Sequence, residues 1–174
     1  MQELAASVRE HGIIQPLLVR KAGAGYELIA GERRLRAAKL AGLAAVPAII
    51  RELSDREMAE LAMIENLQRE DLHFFEEAEG FQQLLVNFGF TQEELARRVG
   101  KNQSTIANKL RLLRLAPVVR DELIAANLTE RHARALLKLE DPAKQREALA
   151  AIRQNKLNVR EAEDLVEGIL DDIS

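Results

Sequence analysis

The spacing of apolar positions changes near residue 54. Before it, short apolar runs are broken by glycines. After it, apolar residues recur every three or four positions to the end of the chain. In the first part, Leu4, Ala5 and Val8 share one helical face that Gly12 ends. Runs at 16–20 and 26–30 predict two strands joined by a five-residue hairpin loop from Lys21 to Gly25. A helix over 34–40, closed by Gly42, and a short strand over 46–50 follow. Ser54-Asp55-Arg56-Glu57 is a capping box opening a helix with Met58, Leu61, Ala62 and Ile64 at helical spacing. Helices are also predicted over 75–88, from a second box at Thr91-Gln92-Glu93-Glu94 to a stop at Gly100, and over 104–113. Further helices open at Pro117, at Thr129 and at Asp141-Pro142 (to about 155), and the last covers 159–170. The fold class is α+β: a small α/β domain over 1–72, an all-helical region over 73–140, and a terminal helical segment over 141–174.

Composition narrows the chemistry. Hydrophobic residues make up 47% of the 174, enough for a buried core, while aromatics at 3% argue against base-stacking platforms. The absence of cysteine excludes disulfides, thiolate zinc sites and cysteine nucleophiles. No apolar run is long enough to span a membrane and no signal peptide is visible, so a cytoplasmic protein is expected. The net charge of −3 hides a segregation. From Glu52 to Glu79 there are ten acidic residues against Arg56 and Arg69. From Thr91 to Arg114 the balance reverses, with Arg97, Arg98, Lys101, Lys109, Arg111 and Arg114 against Glu93 and Glu94.

That cationic stretch has the spacing of a helix-turn-helix. Ala96 lets two helices cross closely, Gly100 tolerates the turn, and Ile106, Leu110 and Leu113 pin the second helix. Gln103, Ser104, Thr105, Asn108 and Lys109 then face outward, where they can read base edges or hold phosphates. A structural hairpin with a polar face is the alternative. One module buries a modest interface, so a homodimer on a palindromic duplex is expected.

Two further strings carry chemistry. Gly31-Glu32-Arg33-Arg34-Leu35-Arg36 places a glycine and three arginines where a strand feeds a helix, a start suited to phosphate. A solvated basic helix start fits it equally. Glu65-Asn66-Leu67-Gln68-Arg69 ends another helix with adjacent carboxylate and amide oxygens, hard ligands for Mg²⁺ that also suit a solvated terminus. The three histidines are not at metal spacing. His132 is expected to position Arg131 or Arg134 near DNA, and His11 and His73 to be surface or terminus residues.

Taken with Gly12-Ile13-Ile14-Gln15-Pro16, these strings and the helix-turn-helix occur in an order that resembles the ParB family of CTP-dependent DNA clamps, across essentially the whole chain. The resemblance implies a nucleotide-binding N-terminal domain that takes CTP with Mg²⁺, closes a gate around loaded DNA, and hydrolyses CTP slowly. It implies that Gly12, Gln15 and Arg20 lie near base and sugar, and that Gly31, Glu32, Arg33, Arg34 and Arg36 hold phosphates. Glu65, Asn66, Gln68 and Arg69 match the third motif, with Glu65 and Asn66 the metal and phosphate-proximal pair and Glu65 the residue for hydrolysis.

Within the family, Gln103, Lys109 and Arg131 match the nucleoid-occlusion branch, which keeps the septum off the chromosome, more than the chromosome-partition branch. Arg114 stands where a lysine is the branch pattern, keeping the charge but changing the contact geometry. The resemblance therefore implies DNA contacts at Gln103, Ser104, Thr105, Asn108, Lys109, Arg111, Arg114, Arg131, His132 and Arg134. It also implies nucleoid association, with membrane attachment through an N-terminal helix absent from this chain, and a chain trimmed at both ends. A partition protein and a plain transcriptional repressor are the competing readings.

Overall fold

The computed structural model describes residues 1–172, which form two compact units, Met1–Leu61 and Ala62 onward. The first is built on helix α1 (Gln2–His11), strands β1 (Leu17–Ala22) and β2 (Gly25–Ala30), helix α2 (Glu32–Ala41) and strand β3 (Ala48–Ile50). The sheet order is β2-β1-β3, with β1 antiparallel to β2 and parallel to β3. Val19 sits at the crossing of both registers, opposite Leu28 on one side and Ile50 on the other. Helices α1 and α2 bury Ala5 and Val8 against Ala37 and Ala38, small residues that let the axes approach.

The hairpin is tighter than its glycine content suggests. Both strands extend to Ala22 and Gly25, leaving two residues in the turn where five are expected from the sequence. Gly23 at φ 56° makes this possible, because the short turn needs a positive φ there.

Helix α3 (Asp55–Leu67) begins in the first unit and ends in the second. Its Ser54 box is formed in both directions: Glu57 N–H donates to Ser54 Oγ and Ser54 N–H to Glu57 Oε2. The second unit continues through α4 (Phe74–Phe88), α5 (Gln92–Val99) and α6 (Gln103–Leu112). It then runs through α7 (Pro117–Ala125), α8 (Glu130–Leu136), α9 (Pro142–Asn155) and α10 (Val159–Asp171).

Two cores hold this unit. One joins the end of α3 to α4, α5 and α6 through Ile64, Leu67, Phe81, Leu84, Leu95, Ala96 and Ile106. The other includes Phe75 of α4 and Leu112 of α6 and runs on to Val166, joining them to α7, α8, α9 and α10. The segment from Asp141, read in sequence as a separate terminal piece, thus supplies Leu149, Ile152 and Val166 to the core that also buries Val119 and Leu136. An amphipathic helix with nothing else to cover its apolar stripe must bury it on its neighbours.

Candidate functional site

In the first unit, α2 starts at Gly31 with φ 108° and no side-chain cap, so its first-turn N–H groups stay open to an external acceptor. A Cβ at Gly31 would lie 2.7 Å from Leu17 Cδ2, so only glycine fits here. The arginines of the string divide their work. Arg34 turns back, its Nη1 donating to the carbonyls of Gln15 at 2.7 Å and Pro16 at 2.8 Å, and so ties the 12–16 segment to the helix start. Arg36 pairs with Glu32 one turn away at 3.3 Å, an exposed contact of small worth. Arg33 is exposed.

Arg20 lies elsewhere in its duties. Its guanidinium donates to Glu27 at 2.8 Å, to Asp55 at 2.8 Å and to the Leu53 carbonyl at 3.1 Å. The bonds to Glu27, then Asp55, raise its already high pKa. It braces β1 to β2 and to the start of α3, and its side chain is only 13% exposed.

In the second unit, Glu65 and Asn66 are exposed on the last turn of α3, where the helix presents its negative end. That end, a carboxylate and an amide oxygen together suit a hard cation sharing its shell with water and phosphate. Among the described residues there is no cluster of three or more His, Cys, Asp or Glu side chains able to hold a metal by themselves. Gln68 is exposed, and Arg69 is paired with Asp71 at 2.9 Å. The hydrogen bond from Arg69 holds the Asp71 carboxyl below the ordinary carboxylate range. A cleft lined by Gln68, Arg69, Glu77 and Lys101 lies beside this turn.

The helix-turn-helix is α5, the turn at Gly100 with φ 69°, and α6. The Thr91 box is closed in both directions, and Leu95, Ala96 and Ile106 are buried under the crossing. Helix α6 ends one residue before Leu113, so it is Leu112 that is fully buried and Leu113 that is half-buried. The helix starts without a side-chain cap, leaving N–H donors beside exposed Gln103 and Ser104. Asn108, Arg111 and Arg114 are exposed and Thr105 is half-buried.

Two residues predicted to meet DNA are placed differently. His132 is buried: its Nδ1 accepts from Thr129 N–H at 3.2 Å and lies 2.8 Å from Thr129 Oγ1, while Nε2 faces the Leu157 carbonyl at 3.4 Å. It closes the start of α8 onto the α9–α10 turn, because an imidazole carries an acceptor and a donor on opposite edges. Lys109 is 13% exposed, its Nζ 2.5 Å from Glu77 on α4 and 2.8 Å from Glu130 on α8. Burial lowers its pKa, but the hydrogen bonds to Glu130 and Glu77 outweigh burial and raise it overall. Arg131 and Arg134 are exposed, Arg131 lying 3.8 Å from Glu163.

His73, expected at the surface or a terminus, stands at a helix start, where its capping role was not foreseen. Its ring accepts from Phe75 N–H at 3.3 Å as the cap of α4, and Glu76 returns the bond, a box visible in the sequence only if histidine is admitted as a cap.

Comparison with known proteins covers nearly the whole chain. Residues 1–67 match the ParB N-terminal domain and residues 70–171 the ParB HTH domain. The chromosome-partitioning protein Spo0J of Thermus thermophilus is 57% identical over 167 residues, 96% of this chain. The nucleoid occlusion protein of Halalkalibacterium halodurans is 51% identical over 172 residues, 99% of this chain. The chain spans 61% of the length of each of these two relatives. A crystal structure of C-terminally truncated ParB from Caulobacter crescentus, complexed to the centromeric parS site, is 39% identical with a TM-score of 0.76. That match covers 97% of this chain and 89% of the Caulobacter chain.

Proposed function

This chain belongs to the ParB family of DNA-binding proteins, and from that we propose that it is a CTP-dependent clamp of the nucleoid-occlusion type, loading as a homodimer on a palindromic duplex. The observation that carries the DNA reading is the uncapped, exposed polar head of α6 held on a buried crossing at Leu95, Ala96 and Ile106. Gln103 offers an amide to a base edge, and the exposed cations Arg111, Arg114, Arg131 and Arg134 reach phosphates or bases. The Caulobacter neighbour, complexed to the centromeric parS site, supports a DNA-binding reading.

For the nucleotide, the open amides after Gly31 and the exposed Arg33 fit a triphosphate, and Arg34 holds the 12–16 segment ready beside them. Glu65 and Asn66 fit Mg²⁺ of the kind that completes its shell with phosphate and water. Bound there, the ion would neutralise phosphate charge. Glu65 would orient an attacking water by its carboxylate. Arg20 contributes by bracing β1.

Titration with CTP and Mg²⁺ tests the reading: binding heat, and turnover raised by a palindromic duplex, are expected. Absence of both in the presence of tight DNA binding would leave a repressor. Glu65→Gln is expected to keep CTP binding and lose turnover, and full turnover would remove its role. A partition role is the second reading, supported by the Thermus relative. Protection of partition-type against occlusion-type palindromes decides between the two branches.

A further inference from the structure

Lys109 is one cation facing two carboxylates on two other helices. Glu77 belongs to α4 and Glu130 to α8, and their side chains are 16% and 27% exposed. Lys101, at the turn before α6, adds a second, looser pair to Glu77 at 3.4 Å. Glu130 in turn lies 3.9 Å from Arg134, and the next residue along α8 is Arg131. Without the ammonium, two half-buried carboxylates would be left facing the same space, each costly to keep charged and each repelling the other. The geometry therefore spends Lys109 inside the protein, with its three donors turned to acceptors already in place.

We propose that Lys109 is a positioning residue for DNA recognition. By neutralising Glu77 and Glu130 it removes the repulsion that would otherwise part the recognition helix α6 from α4 and α8, and so keeps Arg131 and Arg134 in register with Gln103, without itself touching DNA. The inference rests on the proposal that this face reads a duplex, and it reverses the direct-contact role given to Lys109 from sequence.

Salt dependence separates the two roles. Each phosphate contact contributes about 0.9 to the slope of log affinity against log salt. Using the full 174-residue chain and whichever palindrome wild type binds more tightly, Lys109→Met is expected to weaken binding about 10-fold or more with the slope unchanged. Arg111→Ala, by contrast, is expected to lower the slope by about one contact. The triple variant Lys109→Met, Glu77→Gln, Glu130→Gln removes all three charges and is expected to recover most of the affinity at the wild-type slope. Should Lys109→Met fail to melt cooperatively, the triple variant decides alone. A slope lowered by about 0.9, or a triple variant that regains neither fold nor affinity, overturns the proposal. Wild type that shows no palindrome preference instead removes the DNA reading on which it stands.

Discussion

Gly31 and Gly80 show what a single missing side chain does. At Gly31, φ 108° and a Cβ position 2.7 Å from Leu17 Cδ2 exclude any other residue without strain. Gly31→Ala is expected to cost about 1–3 kcal/mol, read as a lowered midpoint in thermal melts. It is also expected to weaken CTP binding in calorimetry. At Gly80 on α4 a Cβ would lie 2.2 Å from Leu67 Cδ2, so the end of α3 rests directly on the α4 backbone. Gly80→Ala gains about 1 kcal/mol of helix propensity but is expected to lose more through overpacking, for a net destabilisation in denaturant titration. The glycine-arginine string was legible because its residue types stand together in sequence. The duties of Arg20, Lys109 and His132 were not, since Asp55, Glu77 and Leu157, the partners that claim them, come from distant parts of the chain.

Helix ends were the most legible elements, since a cap is a contact between residues three apart. The boxes at Ser54 and Thr91 form as their sequences predict. Asn158 with Glu161 forms another whose pattern is equally plain in sequence. Thr91→Ala is expected to destabilise the second unit by about 1 kcal/mol, measured in urea. Glu94 accepts from Thr91, backbone N–H first, and this holds its carboxyl below the ordinary range. A lowered carboxyl pKa means its contribution is whole above the unfolded value and is lost as pH falls through the folded one. The unit is therefore expected to soften toward acid, and Glu94→Gln to flatten that acid limb in melts run across pH. Between the two helices, Ile106 is fully buried, and Ile106→Ala is expected to cost about 2–5 kcal/mol and to abolish DNA binding together with the melt.

The whole molecule reconciles an acidic chain with the DNA-binding role proposed for it by keeping its charges segregated. The net charge is −3, yet Arg111, Arg114, Arg131 and Arg134 are all exposed on the helical unit. DNA affinity is accordingly expected to fall steeply with salt, and a flat salt response would contradict that face. Ending the chain after Glu140 is expected to remove Leu149, Ile152, Ala162 and Val166 from the second core and to abolish cooperative melting of α7 and α8, followed by circular dichroism. Local patterning alone determined the α+β order, the helix-turn-helix and the candidate phosphate and cation groups, because periodicity, caps and turns are contacts between near neighbours in sequence. Only the tertiary structure decided which charged side chains remain available to a ligand. An ion pair depends on carboxylates brought in from other helices, and burial rewards satisfying them inside the protein first.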